Sequence, residues 1–311
     1  MKVSVIVPCY NHSVFIEDCL ASVVKQTFKD FEILLVDDQS QDNTLEKGTE
    51  LLISTGVEHR AWRNPRNLGT YGTQQAALER AEGEWIAVLN SDDVWEETKL
   101  EKQLALLDKS HSFSCTLGHQ IDENGKTLPV EQHGDWPRGP SLGFAGRLLQ
   151  ENRILASSVL FRREGLSFHA ECRYSGDWLA LVEASQRGTA SLIEEPLTFW
   201  RIHTSNAHFR SAKQVAEEIA VRGAILSRLG HLDRHWASRS WMDVSALRIL
   251  RGEVREARRA AFAAFRLNPG ALTAKRLAVT LLPLADAQTR LWPGEKPLEP
   301  LSLPEIQALR V

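Results

Sequence analysis

Hydrophobic positions in the first hundred residues switch repeatedly between short β-branched runs and helical spacing. Val3 to Val7 is an apolar run closed by Pro8, which predicts a first strand buried on both faces. Phe15, Ile16, Cys19, Leu20, Val23 and Val24 then recur at i, i+3 and i+4, the stripe of an amphipathic helix. Phe31 to Val36 predicts a second strand ending in Asp37-Asp38, and the polar turn from Gln39 to Thr44 offers N-caps for a helix through Leu52. Val57 to Trp62 predicts a third strand, Asn64 to Gly69 a loop, and Thr73 to Glu82 a helix stopped by Gly83. Glu84 to Leu89 predicts a fourth strand, with Asn90-Ser91-Asp92-Asp93 at its exit. This alternation predicts an α/β fold, a Rossmann-like, mostly parallel sheet flanked by helices. Ligands of such sheets bind outside the carboxyl ends of the strands. Three polar corners would share that edge: Tyr10-Asn11, Asp37-Asp38 and Asp92-Asp93.

The pattern continues with a helix from Leu100 to Leu107, with Lys99 and Lys102 on its wet face, and a strand from Phe113 to Leu117. A hairpin over 121–128 turns at Asn124-Gly125, and the Pro- and Gly-rich stretch 129–143 reads as a loop. Further strands are predicted at 157–162, 191–193 and 197–200, a helix opens at Tyr174 to Trp178, and 201–206 is a polar segment. From about 211 the pattern is helical: 212–229, 236–251, 253–267 and 271–283. The pair around Gly252 resembles one tetratricopeptide-like hairpin. One repeat cannot bury its own face, so it packs on the main domain or pairs with another copy of the chain as a homodimer. Pro293, Pro297, Pro300 and Pro304 mark an extended tail. The chain therefore divides into a domain over 1–210, itself split at 98/99, a helical extension over 211–285 and a Pro-rich tail over 286–311.

Composition narrows the function classes. A net charge of −3 gives no global basis for nucleic-acid binding, and no nucleic-acid partner is expected. Cys9, Cys19, Cys115 and Cys172 are scattered without metal-ligand spacing and read as reduced thiols of a cytoplasmic protein. No stretch approaches the ~20 apolar residues that span a bilayer, so membrane contact would be peripheral, at the inner face. Between Arg251 and Arg276 seven basic residues face two acidic ones. That excess fits either a solvated helix face or contact with an anionic membrane surface.

No G-x-G-x-x-G follows the first strand, no G-x-x-x-x-G-K-[ST] occurs, and Ser40, Ser91 and Ser175 lack a nucleophile elbow. What remains is a carboxylate-rich sheet edge. Asp92 and Asp93 either hold a hard divalent cation or cap the next helix. Tyr10 could stack on a base, Asp38 could accept from a base N–H or a ribose hydroxyl, and Asp92 would hold a cation bridging two phosphates.

The order Val-Ser-Val-Ile-Val-Pro-x-Tyr-Asn, Gln26-Thr27-Phe28, Phe31-Glu32-Ile33, Val36-Asp37-Asp38-x-Ser40-x-Asp42-x-Thr44, Asn67-Leu68-Gly69, Ala81-Glu82-Gly83-Glu84 and Ser91-Asp92-Asp93 resembles family 2 inverting glycosyltransferases of the GT-A fold. The resemblance covers about residues 1–205 and is densest over 3–95. It implies a nucleotide-binding half at 1–98 and an acceptor half at 99–210. It also implies a nucleoside diphosphate sugar donor, most often a UDP-sugar, with Mn²⁺ or Mg²⁺, and transfer to a glycan or lipid-linked acceptor of cell-surface polysaccharide, lipopolysaccharide or glycoprotein assembly. Pro8, Tyr10, Asn11 and Asp38 then match nucleotide contacts, and Asn67 to Gly69 match the loop beside the ribose and diphosphate. Asn90-Ser91-Asp92 fills the D-x-D slot, with Asn90 and Ser91 at the nucleotide sugar (Asn90 able to hydrogen-bond a ribose), Asp92 as metal ligand, and Asp93 orienting its neighbour or capping the next helix. Asp177, in Gly176-Asp177-Trp178, matches the catalytic base that deprotonates the acceptor hydroxyl. Arg201 and His203 match a Trp-Arg-x-His-like segment, in which Arg201 is expected at the nucleotide sugar and His203 contacts metal or diphosphate or makes a structural hydrogen bond. Trp178 either lines an acceptor pocket or fills the core. The chain departs from the pattern at Asn90, Gln39 and Gly176, where Asp, Gly and Glu are usual. The rival reading is a non-catalytic member of this fold that uses its helical tail for interactions.

Overall fold

The computed structural model describes residues 2–129, 146–203 and 211–293. The loop expected at 129–143 past its first residue, positions 204–206 of the polar segment and the tail from 294 lie outside these residues.

The chain folds into two compact units that interleave along the sequence. The first holds Met1–Phe144, Arg153–Ala170 and Glu183–Ala207, and the second holds Ala145–Asn152, Glu171–Val182 and His208–Val311. The helical unit thus takes in two segments that precede residue 211.

The first unit is built on an eight-stranded sheet with the order β3-β2-β1-β4-β7-β6-β8-β5. β1 (Val3–Cys9) and β2 (Phe31–Asp37) are buried at every position, as expected for strands covered on both faces. β1 pairs in parallel with β2 and with β4 (Trp85–Val88), and β2 with β3 (His59–Arg63). β7 (Leu160–Arg162) runs antiparallel to both β4 and β6 (His111–Ile121). β6 and β8 (Thr189–Arg201) are parallel, and β5 (Val94–Trp95) closes the edge antiparallel to β8. Six strands run one way and two the other, so the mostly parallel α/β sheet is as expected from the sequence. α1 (Ile16–Val24) and α2 (Thr44–Thr55) bring Ile16, Cys19, Leu20, Val23 and Leu52 into one core with Val3, Val5, Ile33 and Leu35.

Several elements differ from the pattern, each for a physical reason. β1 continues through Pro8 to Cys9; its ladder to β4 ends at Ile6, so the missing proline N–H costs no bond on that side. α3 spans Gly69–Leu78, starting four residues before Thr73, because the Asp38 carboxylate accepts from the N–H groups of Leu68 and Gly69 and caps the helix from a neighbouring strand end. The two short strands expected at 191–193 and 197–200 are one strand, β8, which absorbs register shifts against β6. Lys99 is not on a wet face. It opens α4 (Lys99–Ala105) fully buried, with its ammonium 2.7 Å from Gln103 Oε1 and 4.1 Å from the Trp95 ring centroid.

The second unit holds the start of α5 (Gly176–Arg187) and the helices α6 (Ala212–Leu229), α7 (Arg234–Leu250), α8 (Val254–Leu267), α9 (Ala271–Val279) and α10 (Leu284–Leu291). Val215, Ile219, Leu226, Ala237, Val244, Leu247 and Ala260 share a core across α6, α7 and α8. α8 faces its neighbours with alanines (Ala257, Ala260, Ala261, Ala264), which permits close approach to α7, and Ser238 Oγ donates to the Ala264 carbonyl across that contact at 2.8 Å. The helix expected over 271–283 ends at Val279, and Pro283 starts another that runs into the stretch read as an extended tail. Trp178 is a core residue here: its indole N–H donates to the Leu148 carbonyl at 2.7 Å, and the Arg222 guanidinium lies 4.8 Å from its ring.

Candidate active site

The site builds up from the carboxyl ends of β1, β2 and β4. Beyond β1, Tyr10 is exposed and available to a planar ligand. Asn11 takes a left-handed backbone, φ 55°, stabilised because its Oδ1 accepts from Gln41 N–H and its own N–H donates to Ser40 Oγ. His12 follows, with its N–H on Thr44 Oγ1 and its Nδ1 2.8 Å from Ser91 Oγ.

Asp92 lies just past β4. His203 Nε2 is 3.1 Å from Asp92 Oδ2, and ligating atoms of His12, Asp92 and His203 all fall within 4.8 Å of one another. The donor set, two imidazoles and one carboxylate, fits a divalent transition cation such as Mn²⁺ better than Mg²⁺, which favours an all-oxygen shell. Burial opposes ionisation of Asp92, but the hydrogen bond from His203 and the nearness of His12 outweigh it and hold the carboxyl below its ordinary range. Burial lowers the His12 pKa, against the pull of Asp92. The sequence pattern does not single out His12; its signal there is only a histidine in the loop after the first strand.

Asp93 is neither a second open ligand nor a helix cap. Its carboxylate accepts from Ser157 Oγ and from the Arg201 N–H at 3.0 Å, tying the β4 exit to β8. Burial, then the charge of Asp92, push its carboxyl well above the usual range. α4 begins six residues later, with Thr98 at its N-cap position. Asn90 serves the same latch: its N–H donates to Ser157 Oγ, and its side chain hydrogen-bonds Asp93. Ser91 is buried and bound to His12.

Arg201, expected at the nucleotide sugar, is placed among backbone carbonyls. It is 1% exposed, its Nε donates to the Asp92 carbonyl at 2.8 Å, and its Nη1 donates to the carbonyls of Asp122 and Glu123. The guanidinium thus lies behind Asp92 and supports the corner. Asp38 is likewise committed: Oδ1 accepts from Asn64 Nδ2 and Leu68 N–H, Oδ2 accepts from Gly69 N–H, and Asn67 Nδ2 donates to its carbonyl. Gly69 itself has φ 74°, the left-handed region that favours glycine. Pro8 is buried within β1. Asp177 belongs to the second unit, in the first turn of α5, with Oδ2 accepting from Asn152 Nδ2 at 3.1 Å and Oδ1 from the Trp178 N–H at 2.8 Å. All four cysteines are free and buried, and burial pushes the Cys115 and Cys172 thiols up to about 12.

A mostly parallel α/β sheet with acidic and imidazole groups at its strand ends is a frame for ligand binding, and the comparisons specify the family. Residues 4–167 match glycosyl transferase family 2, and the chain belongs to that family. It is 29% identical over 233 residues to the uncharacterized glycosyltransferase alr2836 of Nostoc sp., covering 71% of this chain and 70% of that one. It is 38% identical over 126 residues to the UDP-Glc:alpha-D-GlcNAc-diphosphoundecaprenol beta-1,3-glucosyltransferase WfgD of Escherichia coli, covering 40% of this chain and 49% of WfgD. The match thus spans about half the length of WfgD. Among solved structures, S. aureus TarS 1–349 in complex with UDP-GlcNAc shares the fold at TM-score 0.67 and 18% identity, over 93% of this chain and 91% of that one. The α/β architecture with C-terminal helices is therefore the one found in TarS. Among the described residues no helix is long and apolar enough to cross a membrane.

Proposed function

We propose that this protein is a metal-dependent inverting glycosyltransferase that moves a sugar from a nucleoside diphosphate sugar, a UDP-sugar foremost, to a glycan or lipid-linked acceptor of a cell-surface polysaccharide. The observation that carries the reading is the His12, Asp92 and His203 cluster at the exit of β4, with the exposed Tyr10 two residues before His12 in the chain. Mn²⁺ held there would offset the charge that builds on the departing diphosphate. Tyr10 would stack on the base, and Asn11, Asn67 and Gly69 would line the ribose and diphosphate. Asp177 would take the proton from the acceptor hydroxyl as its oxygen attacks the anomeric carbon, and the bond to the diphosphate breaks on the opposite face. WfgD, named for a UDP-glucose donor and a diphosphoundecaprenol acceptor, supports this donor and acceptor class.

The reading includes a peripheral membrane contact. Every exposed position of α8 is cationic or aromatic: Arg255, Arg258, Arg259, Phe262 and Arg266. Such a face suits an anionic lipid surface and, by like-charge repulsion, disfavours a homodimer through α8. Cosedimentation with anionic but not zwitterionic vesicles, reversed by salt, is the expected behaviour.

The deciding experiment is a thermal-shift screen of UDP, GDP, UDP-glucose, UDP-N-acetylglucosamine and GDP-mannose with and without Mn²⁺. A ligand that binds the folded state alone adds ~2.7 kcal/mol at 100 times its dissociation constant. Mn²⁺-dependent stabilisation, together with donor hydrolysis that Asp92→Ala and Asp177→Asn abolish, is expected. Binding without turnover in every arm would favour the non-catalytic alternative, and no binding at all would end the reading.

A further inference from the structure

The N-terminus of α5 is held from another helix. Arg173 N–H donates to Glu217 Oε2 at 2.7 Å, and the N–H groups of Tyr174 and Ser175 donate to Glu217 Oε1 at 2.7 and 2.8 Å. Glu217 lies on α6 and is 1% exposed. A buried carboxylate is costly unless hydrogen-bonded, and three N–H groups at the positive end of a helix meet that requirement. The three donors are consecutive and immediately precede Gly176, the first residue of α5. Asp177 comes next, and both of its oxygens are already oriented, by Asn152 and by the Trp178 N–H. Trp178 in turn is fixed through its indole to the Leu148 carbonyl. The direction of the Asp177 carboxylate therefore depends on the backbone path that Glu217 fixes.

We infer that Glu217 is the positioning residue for Asp177: the helical extension aims the base by clamping residues 173–175. This rests on the reading of Asp177 as the base. The clamp moves no proton and touches no substrate. Its loss lets the first turn of α5 shift, and a misplacement of about 1 Å costs roughly 100-fold in rate.

The test uses the full-length chain, Mn²⁺ and whichever of UDP-glucose, UDP-N-acetylglucosamine and GDP-mannose is hydrolysed fastest. Glu217→Gln keeps the shape and one acceptor oxygen; Glu217→Ala removes all three bonds. Both are assayed well below their melting temperatures. The expected outcome is a fall in kcat by roughly 100-fold for Glu217→Ala and by less for Glu217→Gln, with donor KM and Mn²⁺-dependent UDP binding within about twofold of wild type. Amide exchange at Tyr174 and Ser175 should accelerate in both variants while α6 stays protected. That readout stands whether or not Glu217→Ala folds fully, because Glu217→Gln is measured beside it. Unchanged kcat in Glu217→Gln and Glu217→Ala, with Asp177→Asn inactive, overturns the inference alone. Full activity in Asp177→Asn overturns the base assignment and the inference with it.

Discussion

Asp38 and Asp92 look alike in sequence, since each is an acid just past a buried strand, and β2 and β4 both flank β1. Their surroundings divide them. Asp38 is surrounded by fixed donors, the N–H groups of Leu68 and Gly69 and the Asn64 amide, and spends its carboxylate on holding the 64–69 loop and starting α3. Asp92 faces imidazoles, groups that can rearrange around a cation without unfolding the loop that carries them. A carboxylate held by three fixed donors is committed first to architecture, whereas one beside titratable ligands keeps its chemistry.

The largest effect should come from breaking that contrast at Asp38. Asp38→Ala leaves three donors without an acceptor, two buried and one half-buried, at about 1–3 kcal/mol for each buried one before relaxation, so we expect a loss of about 3 kcal/mol in urea denaturation. Asp92→Ala orphans one buried imidazole rather than three donors, so it should cost about 1 kcal/mol, less than Asp38→Ala, and abolish Mn²⁺-dependent nucleotide binding. The distinction between the two corners fails if Asp38→Ala unfolds at the wild-type midpoint yet loses nucleotide binding.

The fold was legible wherever periodicity carried it. The stripe of α1, the runs of β1 and β2, and the helix at 212–229 all fell where their patterns put them. The site was legible only in part. Asp92 and His203 could be named from their order in the chain, but His12 joins them only after β1 and β4 pair. Nothing local to Arg201 announces that its guanidinium is spent on backbone carbonyls and on Asp18. Glu217 cannot be told from its neighbour Glu218, since the donors that distinguish it lie over forty positions away in sequence. Pro283 was not read for what it is: the helix before it stops at Val279, and the proline stands at the N-cap of the next helix.

Lys99 extends the comparison to a buried cation with only neutral partners. Burial lowers its pKa from 10.5 to about 7. Between those values the unfolded chain holds more protons than the folded one, so stability rises with pH from about 7 to about 10.5. Lys99→Met removes the charge that must be desolvated and leaves Gln103 Nε2 with its bonds to Ser114 and the Ser158 carbonyl, at the cost of the donor to Gln103 Oε1. The variant should be about 2 kcal/mol more stable at pH 7, with its advantage gone near pH 10. Urea midpoints measured for both proteins across that window decide the matter: parallel curves would mean that Lys99 is solvated in the folded state.

The smallest effect concerns Gln39, where a glycine is usual in the family pattern. Its φ is 70°, so the backbone keeps the left-handed turn although the residue carries a Cβ. The side chain compensates by donating through Nε2 to the Asn64 carbonyl, at the loop that Asp38 also holds. Two terms therefore oppose each other at one position: left-handed strain of about 1 kcal/mol for a non-glycine residue, and a hydrogen bond of similar size. Gln39→Ala keeps the strain and loses the bond. Gln39→Gly loses both, at the cost of a more flexible unfolded chain. Gln39→Ala should thus be the least stable of the three proteins, by about 1 kcal/mol against wild type, with Gln39→Gly between them. If Gln39→Ala matches wild type in urea denaturation, the contact with Asn64 contributes nothing, and the Asp38 corner is held by its carboxylate alone.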